Sequence, residues 1–109
     1  MEMTIEKNIY LVQPSKLTAD EVHEIIEAAE NAQVRAVLLK MESFELLNSS
    51  TLGRLVLLSR NLKERQIRFG VTNLSKQNLQ LMKIGCLDLI FKIFENVDQG
   101  MEVFLQPSG

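Results

Sequence analysis

The sequence has few of the residues that several kinds of functional site require. Its 109 residues include one cysteine, one histidine and no tryptophan. One cysteine cannot form an internal disulfide, and one cysteine with one histidine cannot supply a Cys/His zinc site. We interpret Cys86 as a buried, unreactive thiol. We interpret His23 as a solvated side chain on an acidic helix rather than as a general base.

The sequence also lacks a large excess of charge of one sign and lacks long apolar runs. Twelve Lys and Arg stand against fourteen Asp and Glu, a net charge of −2 that lacks the basic excess of a general nucleic-acid binder. Residues 1–6 do not resemble a signal peptide, and apolar runs such as 36–39 are far too short to cross a bilayer. We therefore expect a cytoplasmic protein that neither binds nucleic acid nor inserts into a membrane.

Motifs for catalysis and cofactor binding are missing as well. No glycine-rich phosphate-binding pattern follows a strand-like segment. The acids between residues 18 and 31 are spread around one helix, which is typical of a solvated face. We expect no enzyme activity, no cofactor and no metal site.

Strand-like and helix-like segments alternate along the chain. The strand-like segments are Ile5 with 9–12, which predict a short hairpin turning at 6–8, then 34–40, 67–72 and 91–94. The helix-like segments are 18–31, 48–65, 75–84 and 98–104. This order with short connections predicts an α/β fold, a single domain with a mainly parallel four- to five-stranded sheet and about four helices. We place the domain at 1–105 and a C-terminal tail at 106–109.

Capping residues mark the helix ends. Thr18 and Glu21 have the spacing of a capping box. Residues 48–50 are all good N-cap types for the second helix. We expect Gly85 to end the third helix in a left-handed conformation.

The second helix-like segment has an unusual distribution of side chains. Its apolar stripe contains Leu52, Leu55, Val56, Leu58 and Leu62. Leu57 falls on the opposite half, beside the small or polar residues Gly53, Arg54, Arg60, Asn61 and Glu64. Two interpretations stay open, an ordinary exposed leucine and a partner-binding face.

The start and the charge of this helix also allow two interpretations. Residues 48–51 supply ordinary N-capping groups, and a phosphoryl group on a serine there would also suit a helix N-terminus, which favours anions. The segment 49–72 carries five Lys or Arg and one Glu, whereas 18–31 carries five acids and no Lys or Arg. This separation suits an acidic protein partner, and a solvated basic face is equally consistent with it.

Four segments together resemble the STAS domain, a family best known from bacterial anti-sigma factor antagonists. They are 34–40, Phe44 with Leu47, 48–53, and 84–94, and they occur in the family's order with matching spacing. The family's central loop looks like Asp-Ser-Ser/Thr-Gly-Leu-Gly at the start of a helix. Here Asn48 stands at the aspartate and Thr51 at the glycine that follows. The resemblance covers about residues 9–104.

The resemblance implies a partner-switching protein. Ser49 would be phosphorylated by a partner kinase of the histidine-kinase-like ATPase fold, which is also the anti-sigma factor. The unphosphorylated loop and second helix would bind this kinase and free a sigma factor, and phosphorylation would release the kinase. The implied partner-binding residues are Asn48, Ser50, Thr51, Gly53, Arg54, Leu57 and Arg60.

A second implication of the resemblance stays open. STAS domains also serve as unmodified regulatory subunits of lipid-trafficking ABC transporters and of stress-signalling assemblies. Such a subunit would use the same helix without phosphorylation of Ser49.

Overall fold

Four helices pack against a five-stranded, mainly parallel sheet in the computed structural model, which describes residues 1–107. The strands are β1 (Glu2–Glu6), β2 (Ile9–Gln13), β3 (Ala36–Lys40), β4 (Arg68–Thr72) and β5 (Lys92–Phe94). The helices are α1 (Ala19–Ala32), α2 (Ser49–Glu64), α3 (Lys76–Ile84) and α4 (Val97–Leu105), and a 3-10 turn (Leu87–Leu89) follows α3. These elements confirm the α/β fold predicted from the sequence. The last two residues of the expected tail, 108 and 109, lie outside the described residues.

The sheet has the strand order β1-β2-β3-β4-β5. β1 pairs antiparallel with β2, and the other neighbouring strands are parallel. β3 is central and buried from Ala36 to Leu39, as its continuous apolar run predicts, because helices cover both faces. Val37 and Leu39 face the core shared with α1, α2 and α3, whereas Ala36 and Leu38 face Phe104 of α4.

The predicted hairpin joins β1 to β2. Glu6 pairs with Ile9, so Lys7 and Asn8 form a two-residue turn. Both turn residues are left-handed, with φ of 51° and 64°, as a type I′ turn requires. The N-terminal strand is thereby fixed at the edge of the sheet next to β2.

The end of α3 differs from the sequence prediction. Gly85 is not left-handed: its φ is −81°, and its N–H donates to Leu81 O at 3.0 Å as in a continuing helix. The left-handed residue is Cys86, with φ of 59°. Cys86 is also exposed, so its prediction as a buried thiol is wrong. The buried residue at this point of the chain is Leu87, the next residue.

The predicted capping box at the start of α1 is present. Thr18 Oγ1 accepts from the N–H of Glu21, and the Glu21 carboxylate accepts from the N–H of Thr18. The same carboxylate accepts from the Ser15 hydroxyl at 2.8 Å and from the Lys16 N–H. Partial burial raises the pKa of Glu21, but these hydrogen bonds outweigh it and lower the pKa from its ordinary value of 4.5 to about 2. The charged carboxylate thus fixes the loop between β2 and α1.

Close packing on the α4 side of the sheet depends on Gly70. A Cβ atom added there would lie 2.7 Å from Phe94 Cε2 and 3.2 Å from Leu38 Cδ2 and Phe104 Cζ. The Phe94 and Phe104 rings meet edge to face with centroids 5.3 Å apart. Glycine therefore lets the two rings approach the strand.

We expect Gly70→Ala to lower the free energy of unfolding by about 1–3 kcal/mol, because the added methyl group must displace three packed side chains. Denaturant titration measures the change. Gly53→Ala is the matched control: among the described residues, no atom beyond the adjoining backbone of its own helix lies within 4 Å of its added Cβ. That control should gain about 0.5–1 kcal/mol from helix propensity. A Gly70→Ala protein as stable as the wild type would contradict the packing argument.

Candidate functional site

The site predicted from the sequence lies along one side of α2. At 3.6 residues per turn, Ser49, Ser50, Gly53, Leu57 and Arg60 share this side. All five are exposed. We call the α2 surface the exposed side of this helix together with its N-cap, formed by Asn48, Ser49, Ser50, Gly53, Arg54, Leu57 and Arg60.

Asn48 caps α2, as its residue type predicts. Its side-chain Oδ1 accepts from the Thr51 N–H at 2.9 Å and from the Thr51 hydroxyl at 3.1 Å. Ser49 and Ser50 are the first two helical residues, and N–H groups at those positions have no acceptor inside the helix. The exposed Ser49 hydroxyl therefore lies at the positive end of the helix dipole.

Thr51 differs from the other predicted contact residues because its side chain is buried. The residue is 7% exposed, and its hydroxyl donates to Asn48 Oδ1. The structure therefore gives Thr51 a part in holding the cap and leaves it little surface for a partner. The β-branched residue at this position fits the fold without disturbing the helix start.

Leu57 and Gly53 form the centre of the α2 surface. Leu57 is 49% exposed, which confirms that it lies outside the apolar stripe. Gly53 precedes it by four residues, so the two lie one turn apart on the same side. Glycine inside a helix costs about 1 kcal/mol relative to alanine, and nothing described in the structure crowds this position. The glycine leaves a low point beside Leu57 where another backbone can approach closely.

The loop before α2 is held by a residue that sequence reasoning missed. Asn78 of α3 is fully buried; its Oδ1 accepts from the Leu47 N–H at 2.9 Å and its Nδ2 donates to Glu45 O at 2.8 Å. Leu46, between these two anchor points, is 67% exposed and adds an apolar side chain close to the helix start. The sequence spacing could have indicated that Asn78 is buried, because it precedes the buried Met82 by four residues and so lies on the core side of α3.

Two basic side chains of the α2 surface lie beside its apolar centre. Arg54 is half-buried and Arg60 is exposed, on either side of Leu57. At the end of the helix, Arg65 Nε donates to the Glu30 carboxylate of α1 at 2.8 Å. The separation of charge seen in the sequence is thus partly neutralised where α1 meets the end of α2.

The described residues show no group of three or more His, Cys, Asp or Glu side chains that could hold a metal ion. His23 is solvated, with 81% of its side chain exposed and its Nε2 atom 3.4 Å from the Glu27 carboxylate. Within residues 1–107, no helix has the length and apolar character that a membrane crossing needs. The α2 surface combines a hydroxyl, an apolar centre and basic side chains, which suits recognition of another protein.

Comparison with solved structures gives the same fold. An anti-sigma factor antagonist from Mycobacterium paratuberculosis is 17% identical, with a TM-score of 0.77 over 96% of this chain and 92% of the other. A chain of the stressosome, a signal integration and transduction hub, is 13% identical, with a TM-score of 0.80 over 94% of this chain and 95% of the other. The anti-sigma factor antagonist SpoIIAA in its unphosphorylated form is 15% identical, with a TM-score of 0.67 over 98% of both chains.

The comparison of sequences gives the family. No curated protein sequence is similar enough to match the chain. A family model described as the STAS domain matches residues 9–100, which is most of the sequence and includes the whole α2 surface. The resemblance inferred from the sequence is confirmed, and the chain belongs to the STAS domain family.

Proposed function

We propose that this protein is an anti-sigma factor antagonist that switches partners. Its unphosphorylated α2 surface binds an anti-sigma factor kinase of the histidine-kinase-like ATPase fold, and phosphorylation of Ser49 releases that kinase. The observation that carries the proposal is the exposed Ser49 at the first position of α2, on the same side as Leu57. Membership of the STAS domain family supports it. The protein acts by binding, without catalysis, in the cytoplasm.

Binding in the unphosphorylated state relies on the centre of the α2 surface. Covering Leu57 removes a half-exposed leucine side chain from water, which favours association. Gly53 lets the partner come close enough to bury it. Arg54 and Arg60 favour a partner with acidic groups, because complementary charge sets the orientation and raises the association rate.

Release follows from the charge that phosphorylation adds. A phosphoryl group on Ser49 carries about −1.5 to −2 charges. The free N–H groups and the dipole at the start of α2 stabilise this charge, so the domain stays folded. An acidic partner surface that complements Arg54 and Arg60 is repelled by it.

A second candidate function is that of an unmodified regulatory subunit of a lipid-trafficking ABC transporter or a stress-signalling assembly. Asn48 favours it, because the position of the family's aspartate is uncharged here and the Oδ1 atom is occupied by the cap. This subunit would bind its partner through the same α2 surface. Ser49→Ala would then leave partner binding and function intact.

We expect Leu57→Asp to weaken binding to the partner ATPase by at least about tenfold, because a charge replaces the apolar centre of the interface. Gly53→Arg should act in the same direction by blocking close approach. Titration calorimetry with histidine-kinase-like ATPases from the same genome measures both. Ile5→Asp, which changes a similarly exposed side chain on β1, is the control and should bind normally. Normal binding by Leu57→Asp and Gly53→Arg would exclude the α2 surface as the interface.

We expect incubation with ATP and the partner kinase to add one phosphate to Ser49. Intact-mass spectrometry with site mapping measures it; the added mass should disappear in Ser49→Ala and persist in Ser50→Ala. The phosphorylated protein should bind the kinase more weakly than the unmodified protein. A stable complex with an ATPase but no phosphate on either serine would select the unmodified subunit instead.

We expect Asn78→Ala to displace the loop before α2, because it leaves the Leu47 N–H and the Glu45 carbonyl without their partner. Two unpaired backbone groups should lower the free energy of unfolding by about 2–4 kcal/mol. Hydrogen exchange of the Leu47 amide should accelerate, and ATPase affinity should fall under conditions where the variant is fully folded. Gln77→Ala, an exposed change on the same helix, is the control. Unchanged protection of the Leu47 amide would refute the role given to Asn78.

A further inference from the structure

A second exposed apolar region lies away from the α2 surface. Ile84, Leu89 and Ile90 are 76%, 82% and 50% exposed, and all three lie within a seven-residue segment at the end of α3 and the 3-10 turn. Exposed apolar residues are ordinary when they are scattered singly. Three large aliphatic side chains this close together in the chain call for a physical reason.

Two of these residues border a cleft. Leu89 and Ile90 line a concave space of about 380 Å³ between the 3-10 turn, the start of β4 and the second half of α2. Phe69 and Phe91 also line it, with their rings edge to face and their centroids 5.4 Å apart. We call this space the 3-10 cleft. An apolar side chain of a binding partner could contact the exposed residues at its edge and enter the space between them.

The lining of the 3-10 cleft is basic. It includes Lys63, Arg68 and Lys92, against Asp88 as the acidic member of the described lining. The Arg68 guanidinium lies 4.7 Å from the centroid of the Phe104 ring, a cation–π contact that holds this charge in place. The cleft therefore combines apolar contact area with a surplus of two positive charges.

The 3-10 cleft is separate from the α2 surface. Ser59 and Lys63 are the α2 residues that line it. They follow Leu57 by two and six positions, which places them about 200° and 240° around the helix axis from it. One helix thus contributes to both regions from different sides, and the two can be occupied together.

We propose that the 3-10 cleft binds a second protein partner, through a segment that combines large aliphatic side chains with carboxylates. Its basic lining complements an acidic segment and would repel the same lining of a second copy. Its concave shape suits a side chain entering from a peptide, which a flat lipid surface does not supply. This binding does not depend on Ser49.

The probe is a blocked hexapeptide in which leucine and glutamate alternate. Titration into isotopically labelled protein should shift the backbone amide resonances of residues 89–91 and Arg68 until they saturate. Matched peptides with lysine for glutamate, or with serine for leucine, should leave those resonances in place. Absence of saturating shifts with the leucine–glutamate peptide, or equal shifts with the lysine peptide, would overturn the proposal.

Two variants test whether the residues that line the 3-10 cleft bind the peptide. Leu89→Asp and Lys92→Glu each change an exposed side chain, and each should weaken peptide binding about tenfold. Circular dichroism checks that both remain folded. Ile5→Asp, on the opposite edge of the sheet, should bind the peptide as the wild type does. Normal binding by both cleft variants would place the peptide elsewhere and refute the assignment.

Two other occupants have their own readouts. Vesicles of phosphatidylcholine and phosphatidylglycerol in equal parts that sediment the wild type but not Lys92→Glu would assign the cleft to lipid. Dimers in sedimentation velocity that Leu89→Asp abolishes would assign it to a second copy of the chain. Either result would overturn the proposed protein partner.

Discussion

The buried amide of Asn78 fixes the loop from which α2 begins, and the geometry of the candidate site follows from that contact. β3 delivers the chain to the carboxyl edge of a parallel sheet, where it must return through a loop before the next helix. Asn78 pairs with backbone groups of Glu45 and Leu47 in that loop. Asn48 then closes the first turn of α2. Two asparagine side chains thus set where Ser49 stands.

The inner side of α2 packs on the sheet and the outer side is exposed, and two residues on the outer side lower the stability of the domain. The inner side buries Leu55, Leu58 and Leu62 completely and so holds the helix on the sheet. The outer side keeps Gly53 inside the helix and leaves Leu57 half-exposed. Alanine at position 53 and a polar residue at position 57 would make an isolated domain more stable. A stability deficit of this kind is understandable where a partner covers the surface. Gly70 is different, because close packing inside the domain requires a residue without a side chain there.

Periodicity in the sequence predicted the strands and helices because each depends on side chains close together in the chain. The caps at Thr18 and Asn48 were predictable for the same reason, since they act within one turn. The role of Asn78 was not, because it joins residues 31 and 33 positions apart. The end of α3 was mispredicted because Leu87 takes the core position and turns Cys86 outward, a tertiary effect that outweighs the usual preference for glycine in left-handed backbone. The α2 surface was predicted from local pattern, whereas the 3-10 cleft is visible only in the folded structure.

α2 also determines how far the two proposed binding regions influence each other. Ser49 and Lys63 are fourteen residues apart, which at 1.5 Å per residue is about 21 Å along the helix axis. At physiological salt the Debye length is about 8 Å, so most of the field of a phosphoryl group on Ser49 is screened at that distance. Charge alone therefore couples the two regions weakly. Phosphorylation would release a partner from the α2 surface and leave an acidic segment in the 3-10 cleft bound, so that the domain changes one partner while it keeps the other.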